Sequence, residues 1–343
     1  MHKISFIFFS LLPIFLYSDS KLSDILDNRR HDSINIAVEV NSKVDYWNPG
    51  LSGEEGQSLL IYKTEGLNAV IGKVKLQLYD SDIASFEYFL TPKSKSSKNE
   101  YKKNQNKNAF AEGMRWSIHI GKIMAYLTDI EFLNGFGFEY TKRDFEGNVR
   151  ISNNVNKVAY WHDDAYEDFY ERNDLFHFHT KFTKAEFFYT YDDIWNNDYY
   201  VSVGAFDINW AKPSALDEIV AYGEIPVFFD ARYHSQGLSF DIGKKDKNYD
   251  FNFYFDIGLN NEIDLTNNVS IDNILEDDET YTMYMAGSNF DYIWSDIYKT
   301  KFFTMDISIG GDVRLIQMGR DYTSFRLDGE LNYGLNAKVE FIF

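Results

Sequence analysis

The sequence predicts an all-β protein, an antiparallel transmembrane β-barrel of about fourteen strands, with a range of about twelve to sixteen. One supporting observation is that an aromatic content of 18% coexists with a mean hydropathy of only −0.39. Transmembrane barrels concentrate aromatic residues in girdles at both membrane interfaces, while their lumen-facing side chains are polar. The other is a recurrent two-residue alternation of apolar and polar side chains, which indicates strands with two different environments.

The alternation is clearest at the C-terminal end, between Phe325 and Phe343. The odd positions of this segment are apolar or glycine. Five of the even positions are charged: Arg326, Asp328, Glu330, Lys338 and Glu340. A run of this length predicts one long strand with an apolar face toward lipid and a polar face toward the lumen.

The segment before it, from Phe303 to Leu315, alternates in the same way and predicts the partner arm of a hairpin that turns at 319–321. An odd-length turn keeps both apolar faces on one side of the sheet. The expected register places Leu315 opposite Phe325. It also places Arg314 opposite Arg326, an unfavourable pair that a two-residue slip would relieve.

Shorter alternating runs recur along the chain. They centre on residues 34–40, 70–78, 116–120, 136–140, 176–178, 187–191, 201–205, 238–242, 251–259 and 281–294. A phase change within the last run predicts a bulge near Gly287–Asn289. The connections alternate between short turns and long polar loops, as expected for periplasmic turns and external loops. The exception is Ala211–Glu224, a long connection where about fourteen strands require a periplasmic turn.

The N-terminus has the order of an export signal. Met1-His2-Lys3 is basic, residues 4–16 are largely apolar, and Tyr17-Ser18 precedes a polar segment. We therefore expect residues 1–18 to be a cleaved signal peptide, 19–32 a short periplasmic segment and 33–343 the barrel. A single membrane anchor is the alternative for the apolar run.

Composition excludes several classes of function. The chain contains no cysteine, so it has neither disulfides nor thiolate metal sites, and it is not a lipoprotein anchored through cysteine. A formal net charge of −19 disfavours binding to nucleic acid phosphates.

The end of the chain resembles a known signal. Tyr333-Gly334, followed by Val339, Phe341 and a terminal Phe343, resembles the C-terminal β-signal of bacterial outer-membrane barrels. The resemblance implies location in a bacterial outer membrane and recognition by the barrel-assembly machinery. It covers only the end of the chain and implies neither a substrate nor a catalytic residue.

The polar faces of the strands supply the candidate functional residues. If the apolar faces meet lipid, a mixed set of charges points into the lumen and lines a pore: Lys73, Lys75, Arg115, Arg232, Asp241, Asp250, Asp256, Asp306, Arg314, Arg326, Asp328 and Lys338. Rings of mixed charge set selectivity in aqueous pores. The sequence therefore favours a porin-like channel for passive diffusion of small hydrophilic solutes. The alternatives are a closed barrel acting as adhesin or receptor through its external loops and, less favoured, an outer-membrane enzyme.

Other chemistry is weakly indicated. His177 and His179 share one strand face but lack a recognisable third metal ligand, and His162-Asp163-Asp164 lies in a long loop. The acidic run Glu276–Glu279 lacks the spacing of an EF-hand loop. We expect no catalytic set, no metal and no cofactor, and we predict that the protein is not an enzyme.

Overall fold

A computed structural model describes most of the barrel. The described residues are 34–48, 60–62, 67–78, 81–90, 110–128, 130–151, 157–162, 165–171, 175–192, 198–216, 227–246, 248–265, 282–300, 302–319, 325–326 and 330–343. The expected signal peptide, the 19–32 segment and the Glu276–Glu279 run lie outside these residues. Domain boundaries therefore stay predictions.

The described residues form sixteen strands and two short helices. In chain order the strands are β1 (Ile34–Asn48), β2 (Leu60–Tyr62), β3 (Leu67–Leu78), β4 (Ser81–Leu90), β5 (Phe110–Ile118), β6 (Phe136–Ile151), β7 (Lys157–His162), β8 (Ala165–Glu171), β9 (Leu175–Asp192), β10 (Asp198–Leu216), β11 (Val227–Lys245), β12 (Tyr249–Leu265), β13 (Thr282–Lys299), β14 (Thr304–Gly319), β15 (Phe325–Arg326) and β16 (Glu330–Ile342). Between β5 and β6 lie helix α1 (Ile120–Thr128) and a 3₁₀ helix (Glu131–Gly135).

Twelve of these strands close into an antiparallel barrel, in the order β1-β3-β4-β5-β6-β9-β10-β11-β12-β13-β14-β16. The first and last strands close the ring, because β1 pairs with both β3 and β16. The terminal residue completes this seam: the Phe343 N–H donates to the Ile36 carbonyl at 3.0 Å, and the Ile36 N–H donates back at 3.3 Å. Closure leaves no unpaired sheet edge along this seam.

The ring has twelve strands and not the fourteen that the tally favoured, at the lower limit of the predicted range, and the expected all-β antiparallel architecture is confirmed. Four short strands among the described residues lie outside the ring. β2 pairs with β6, β7 and β8 form a hairpin that touches β11, and β15 pairs with β10. Alternation of side chains marks a strand, but it does not show whether that strand joins the ring or pairs only at its rim.

The two ends of the barrel differ. At the end that carries Ile34 and Phe343, here the terminal end, short connections join β3 to β4, β9 to β10, β11 to β12 and β13 to β14. Most longer connections lie at the opposite end, here the loop end. With twelve strands the β10–β11 connection falls at the loop end, so the expected periplasmic turn at Ala211–Glu224 is wrong and β10 continues to Leu216.

The β5–β6 connection is the long exception at the terminal end, and sequence reasoning did not predict its helix. Gly121 of α1 packs so closely on the 3₁₀ helix that a Cβ atom there would lie 1.7 Å from the Leu133 carbonyl oxygen. Ile120, Met124 and Leu127 follow helical spacing and are all exposed. Within the described part of the chain, no helix is long and apolar enough to cross a membrane.

The barrel is apolar outside and largely polar inside. On β16 the outward Leu331, Tyr333 and Leu335 are exposed, whereas Asn332 and Gly334 between them are covered to a greater degree. Outward aromatic residues collect near the terminal end: Tyr191, Tyr199, Trp294, Tyr298, Phe302 and Phe343. An apolar outer belt edged by aromatic residues is the surface that transmembrane barrels present to lipid.

The predicted C-terminal hairpin exists, but the predicted pairing of its two strands differs from the observed pairing by six residues. Leu315 pairs with Leu331 and Arg314 with Asn332, so the expected pair of arginines does not form. Phe325 and Arg326 leave the hairpin and pair with β10 as β15. The six-residue slip keeps both apolar faces outward, because an even shift preserves side-chain parity.

The bulge predicted near Gly287–Asn289 is also wrong. β13 pairs without interruption from Tyr284 to Tyr292 against β12. Met283 and Met285 therefore stay in phase with the inward residues, and each is about 1% exposed. The apparent phase change arose because methionines occupy lumen-facing positions where polar side chains were expected.

Candidate functional site in the barrel lumen

Lys184 of β9 is the centre of a buried charge cluster in the lumen. Its Nζ lies 2.6 Å from Oδ1 of Asp241, 2.9 Å from Oε1 of Glu186 and 3.5 Å from Oδ1 of Asp256. The three carboxylates come from β9, β11 and β12, so the cluster joins three strands. Its position follows from strand parity: Phe187 of β9 faces outward and is exposed, so Lys184 and Glu186 face inward.

Two serine hydroxyls and an arginine extend this cluster around the wall. Ser202 and Ser239 both donate to Oε1 of Glu186, at 3.0 and 2.9 Å. On the neighbouring wall, Arg115 Nε lies 2.7 Å from Oε1 of Glu139. Buried charges of this kind persist only when they are paired and hydrogen-bonded.

A second group of ion pairs lies on the opposite wall of the lumen. Lys75 Nζ is 2.8 Å from Oε1 of Glu340 and 3.7 Å from Oε2 of Glu39. Lys338 donates to Oδ2 of Asp291 at 2.5 Å. These pairs link β1, β3, β13 and β16 across the seam where the barrel closes.

A cavity of about 90 Å³ lies beside the Lys184 cluster. The charged side chains around it balance in sign: Arg115, Arg143, Lys184 and Arg314 against Glu139, Glu186, Asp241 and Asp256. The remaining lining includes Phe182, Tyr254 and Met285. The site therefore presents both charge signs with an apolar border.

Nearer the loop end, the lumen of this wall carries several buried apolar side chains beside the hydrogen-bonded pair Ser235 and Asn261, which sequence reasoning did not predict. Ile208, Trp210, Met283 and Ile316 are each about 1% exposed or less. The ring centroids of Trp210 and Tyr233 lie 5.3 Å apart. We call these five residues the apolar layer; such close burial leaves little room for water at this level.

The structure places most of the predicted pore residues on the inward face. These are Lys73, Lys75, Arg115, Asp241, Asp250, Asp256, Asp306, Arg314 and Lys338. Asp306 lies near the terminal end, where Oδ1 accepts the Asp296 N–H at 2.8 Å. Asp328 lies outside the described residues. That the inward residues line a conducting pore stays a prediction.

Two of the predicted pore residues do not lie on the lumen-facing side of the ring strands. Arg232 is exposed and shares the parity of the outward Leu238 and Phe240 on β11, so its inward assignment is wrong. Arg326 belongs to β15, which lies outside the ring and pairs with β10, so it is not a lumen residue of β16. Both errors arose because side chains were assigned to the inner or outer face without knowledge of which strands pair.

Sequence reasoning missed four charged cavity residues: Glu139, Arg143, Lys184 and Glu186. The sequence did contain a signal for them: aromatic residues at alternate positions of β6 and β9 face outward, so the positions between them face inward. The apolar layer had no such signal, since its inward positions carry side chains that resemble the lipid face.

The histidines offer no metal site within the described residues, where no group of three or more suitable side chains occurs. His179 Nε2 lies 2.6 Å from Oδ1 of Asp144 on the outer face of the barrel wall. The side chains of His162 and His177 lie outside the description. The expectations of no metal, no cofactor and no catalytic set stay predictions.

The solved structures to which this chain is similar match it only at low identity and low TM-score. The chain is similar to a FadL homologue from Pseudomonas aeruginosa (10% identity, TM-score 0.30, 90% of this chain and 89% of that one). It is similar to the β-domain of the Bordetella autotransporter BrkA (8% identity, TM-score 0.31, 89% of this chain and 99% of that one). It is also similar to the toluene transporter TbuX of Ralstonia pickettii (9% identity, TM-score 0.31, 90% of this chain and 89% of that one).

The chain has the fold of a transmembrane β-barrel, because it forms a closed antiparallel ring with an apolar outer face. No protein-family model matches the chain, and no curated protein matches it. At such low identities and TM-scores, the structural likenesses support no inference about function.

Proposed function

We propose that this protein is an outer-membrane barrel that acts as a narrow, selective channel for small hydrophilic solutes. The observation that carries the proposal is the cavity in the lumen, which is bordered by four cationic and four anionic side chains. Paired charges at a constriction set selectivity in aqueous pores. Location in the outer membrane is part of the proposal, supported by the apolar outer belt and the aromatic residues near the terminal end.

Strand number supports a narrow passage. Barrels of about eight strands are filled by side chains, and those of about sixteen to eighteen leave a wide aqueous channel. Twelve strands lie between these limits. The apolar layer then acts as the closed gate of the resting barrel, on the loop side of the charge cluster.

A second candidate is a permanently closed barrel that acts as adhesin or receptor through its external loops. The specific observation that favours it is the apolar layer, whose residues are almost fully buried. Charges that all pair off would then serve only to join strands. Enzymatic activity is not part of either proposal.

Planar-bilayer recording of the folded, purified protein separates the two candidates. We expect the wild-type protein to give small, infrequent steps. The double variant Ile208→Ala, Trp210→Ala removes bulk from the apolar layer and should increase step size or frequency. Leu238→Ala, on the outer face of β11, is the matched control and should leave conductance unchanged. Absence of steps from both the wild type and the double variant would reject the channel and favour the closed barrel.

The same recording tests the charge selectivity. Neutralising Arg314 by Arg314→Gln removes one cation from the cavity lining and should shift the reversal potential in a salt gradient toward cation preference. The matched control is Arg232→Gln, because Arg232 is exposed on the outer side. An unchanged reversal potential for Arg314→Gln would show that this cavity is not on the conduction path.

A further inference from the structure

The lumen cavity holds hydrogen-bonding groups of both kinds whose partners the described residues do not supply. Both carboxylate oxygens of Asp256 and Oδ1 of Asn252 are buried acceptors without a donor, and Nε of Arg143 is a buried donor without an acceptor. All three residues line the same cavity. Buried polar groups are nearly always hydrogen-bonded, so this combination indicates a polar occupant.

Lys184 and Ser239 approach Asp256 but satisfy it only weakly, because both make shorter contacts with other carboxylates. The Lys184 Nζ already lies within hydrogen-bond distance of Asp241 and Glu186, at 2.6 and 2.9 Å, but it is 3.5 Å from Asp256. Asp256 is nevertheless 0% exposed. An ionised carboxylate in this position requires further donors from within the cavity, because burial without them is costly.

The volume limits what can enter. A cavity of about 90 Å³ accommodates about three water molecules at roughly 30 Å³ each. At the close packing of protein interiors, the same space holds a solute of about five non-hydrogen atoms. A larger solute would have to extend from this cavity into the adjoining lumen.

We propose that the cavity is a binding subsite for a small zwitterion of the size of glycine, carrying a primary ammonium and a carboxylate. The ammonium would donate to Asp256, and the carboxylate would accept from Arg143. The balanced charges of the lining favour a dipolar solute over a net anion or cation, since either ion would leave one set of groups unpaired. This inference names a solute class for the proposed channel. Transport of that solute rests on the proposed channel function, whereas its binding to the subsite does not.

Calorimetric titration of the full-length folded protein in detergent tests the subsite with four probes. Glycine carries both an ammonium and a carboxylate group. Acetate carries only the carboxylate and methylammonium only the ammonium, whereas glycine betaine keeps both charges but has no N–H donor. We expect glycine to bind, and each of the other probes to bind at least about tenfold more weakly, because a charge-assisted hydrogen bond is lost. Equal binding of glycine and acetate, or of glycine and betaine, would overturn the proposal.

Matched variants locate the binding. Asp256→Asn and Arg143→Gln should each weaken glycine binding by about tenfold or more. Glu262→Gln and Lys142→Gln are the controls, because both residues are exposed: Lys142 is adjacent to Arg143, and Glu262 lies further along β12 from Asp256. Unchanged binding in Asp256→Asn and Arg143→Gln, with folding verified by retained heat-modifiable mobility, would place glycine elsewhere.

The titration and the bilayer recording fail independently. Binding of glycine without conductance would retain the subsite and reject the channel. Conductance without heat from any probe would retain the channel and show that the cavity holds water only, which would overturn the zwitterion proposal.

Discussion

Lys184 shows how a single side chain holds the lumen together. It is about 8% exposed and lies within 3.5 Å of carboxylates from three strands. Its long aliphatic stem lets one charge reach Asp241 across the barrel interior, and Tyr254 covers it from the side, with Nζ 5.3 Å from the ring centroid. One cation thus offsets several anions that would otherwise repel each other.

Removal of this cation should be costly. Lys184→Met leaves buried carboxylates without their shared partner, and we expect a loss of about 3–5 kcal/mol in the free energy of unfolding. Lys181→Met on the same strand is the control: it is exposed, and a loss within about 0.5 kcal/mol is expected there. Urea unfolding in detergent measures both. Equal losses at the two positions would show that the cluster does not stabilise the barrel.

At the residue scale, sequence reasoning succeeded where strand parity alone decides orientation. Lys75, Asp241 and Lys338 alternate with exposed apolar neighbours, so their inward direction is a local property of the chain. The same reasoning failed for Arg232, which lies an even number of residues from the outward Leu238 and Phe240 and therefore also faces outward. The Lys184 cluster itself depends on long-range contacts between strands, and no local pattern specifies them.

The C-terminal strand β16 shows how one element serves two surroundings. Leu335 is 65% exposed on the outer face, whereas Asn336 is half-buried on the inner face between β1 and β14. Neighbouring residues on one strand therefore face the outside and the lumen of the barrel respectively.

Arginine substitution distinguishes these two faces. Leu335→Arg should destabilise the barrel by about 2–4 kcal/mol if the position lies near the bilayer midplane. Asn336→Arg should cost less, because the lumen offers water and the carboxylates of neighbouring strands. Unfolding of each variant in lipid vesicles gives the comparison. A larger loss for Asn336→Arg than for Leu335→Arg would mean that the faces are inverted.

The terminal residue has a structural role that fits its place in the signal-like segment. Phe343 makes two backbone hydrogen bonds with Ile36, and its ring centroid lies 6.0 Å from that of Phe303. Deletion of Phe343 should therefore reduce the folded, heat-modifiable fraction in the outer membrane much more than replacement of the polar segment Lys93–Asn108, which lies outside the described residues. Equal tolerance of the two changes would contradict a special role for the terminal aromatic.

Element existence was easier to predict from the sequence than element pairing. β14 stands where the alternation placed it, but β16 begins at Glu330 and not at Phe325. The register of the two strands is shifted by six residues, since any even shift satisfies the same apolar pattern. The 9-residue helix α1 was missed because its apolar positions were counted with the strands around it. The short strands β2, β7, β8 and β15 carry no local mark of lying outside the ring.

At the scale of the whole molecule, the barrel combines an apolar exterior, a buried charge cluster and an apolar layer toward the loop end. The exterior explains why a chain with a mean hydropathy of only −0.39 exposes so many large apolar side chains. A soluble monomer rarely exposes a continuous apolar belt, because such a surface aggregates in water. The central claim is therefore that the belt is covered by lipid in an outer membrane.

Separation of the membranes of the producing cell by density tests this claim most directly. If lipid covers the belt, the protein should sediment with the outer membrane, migrate faster on a gel before heating than after it, and lack the residues up to about Ser18. Recovery of the folded protein as a soluble monomer from the periplasm or the medium would contradict it.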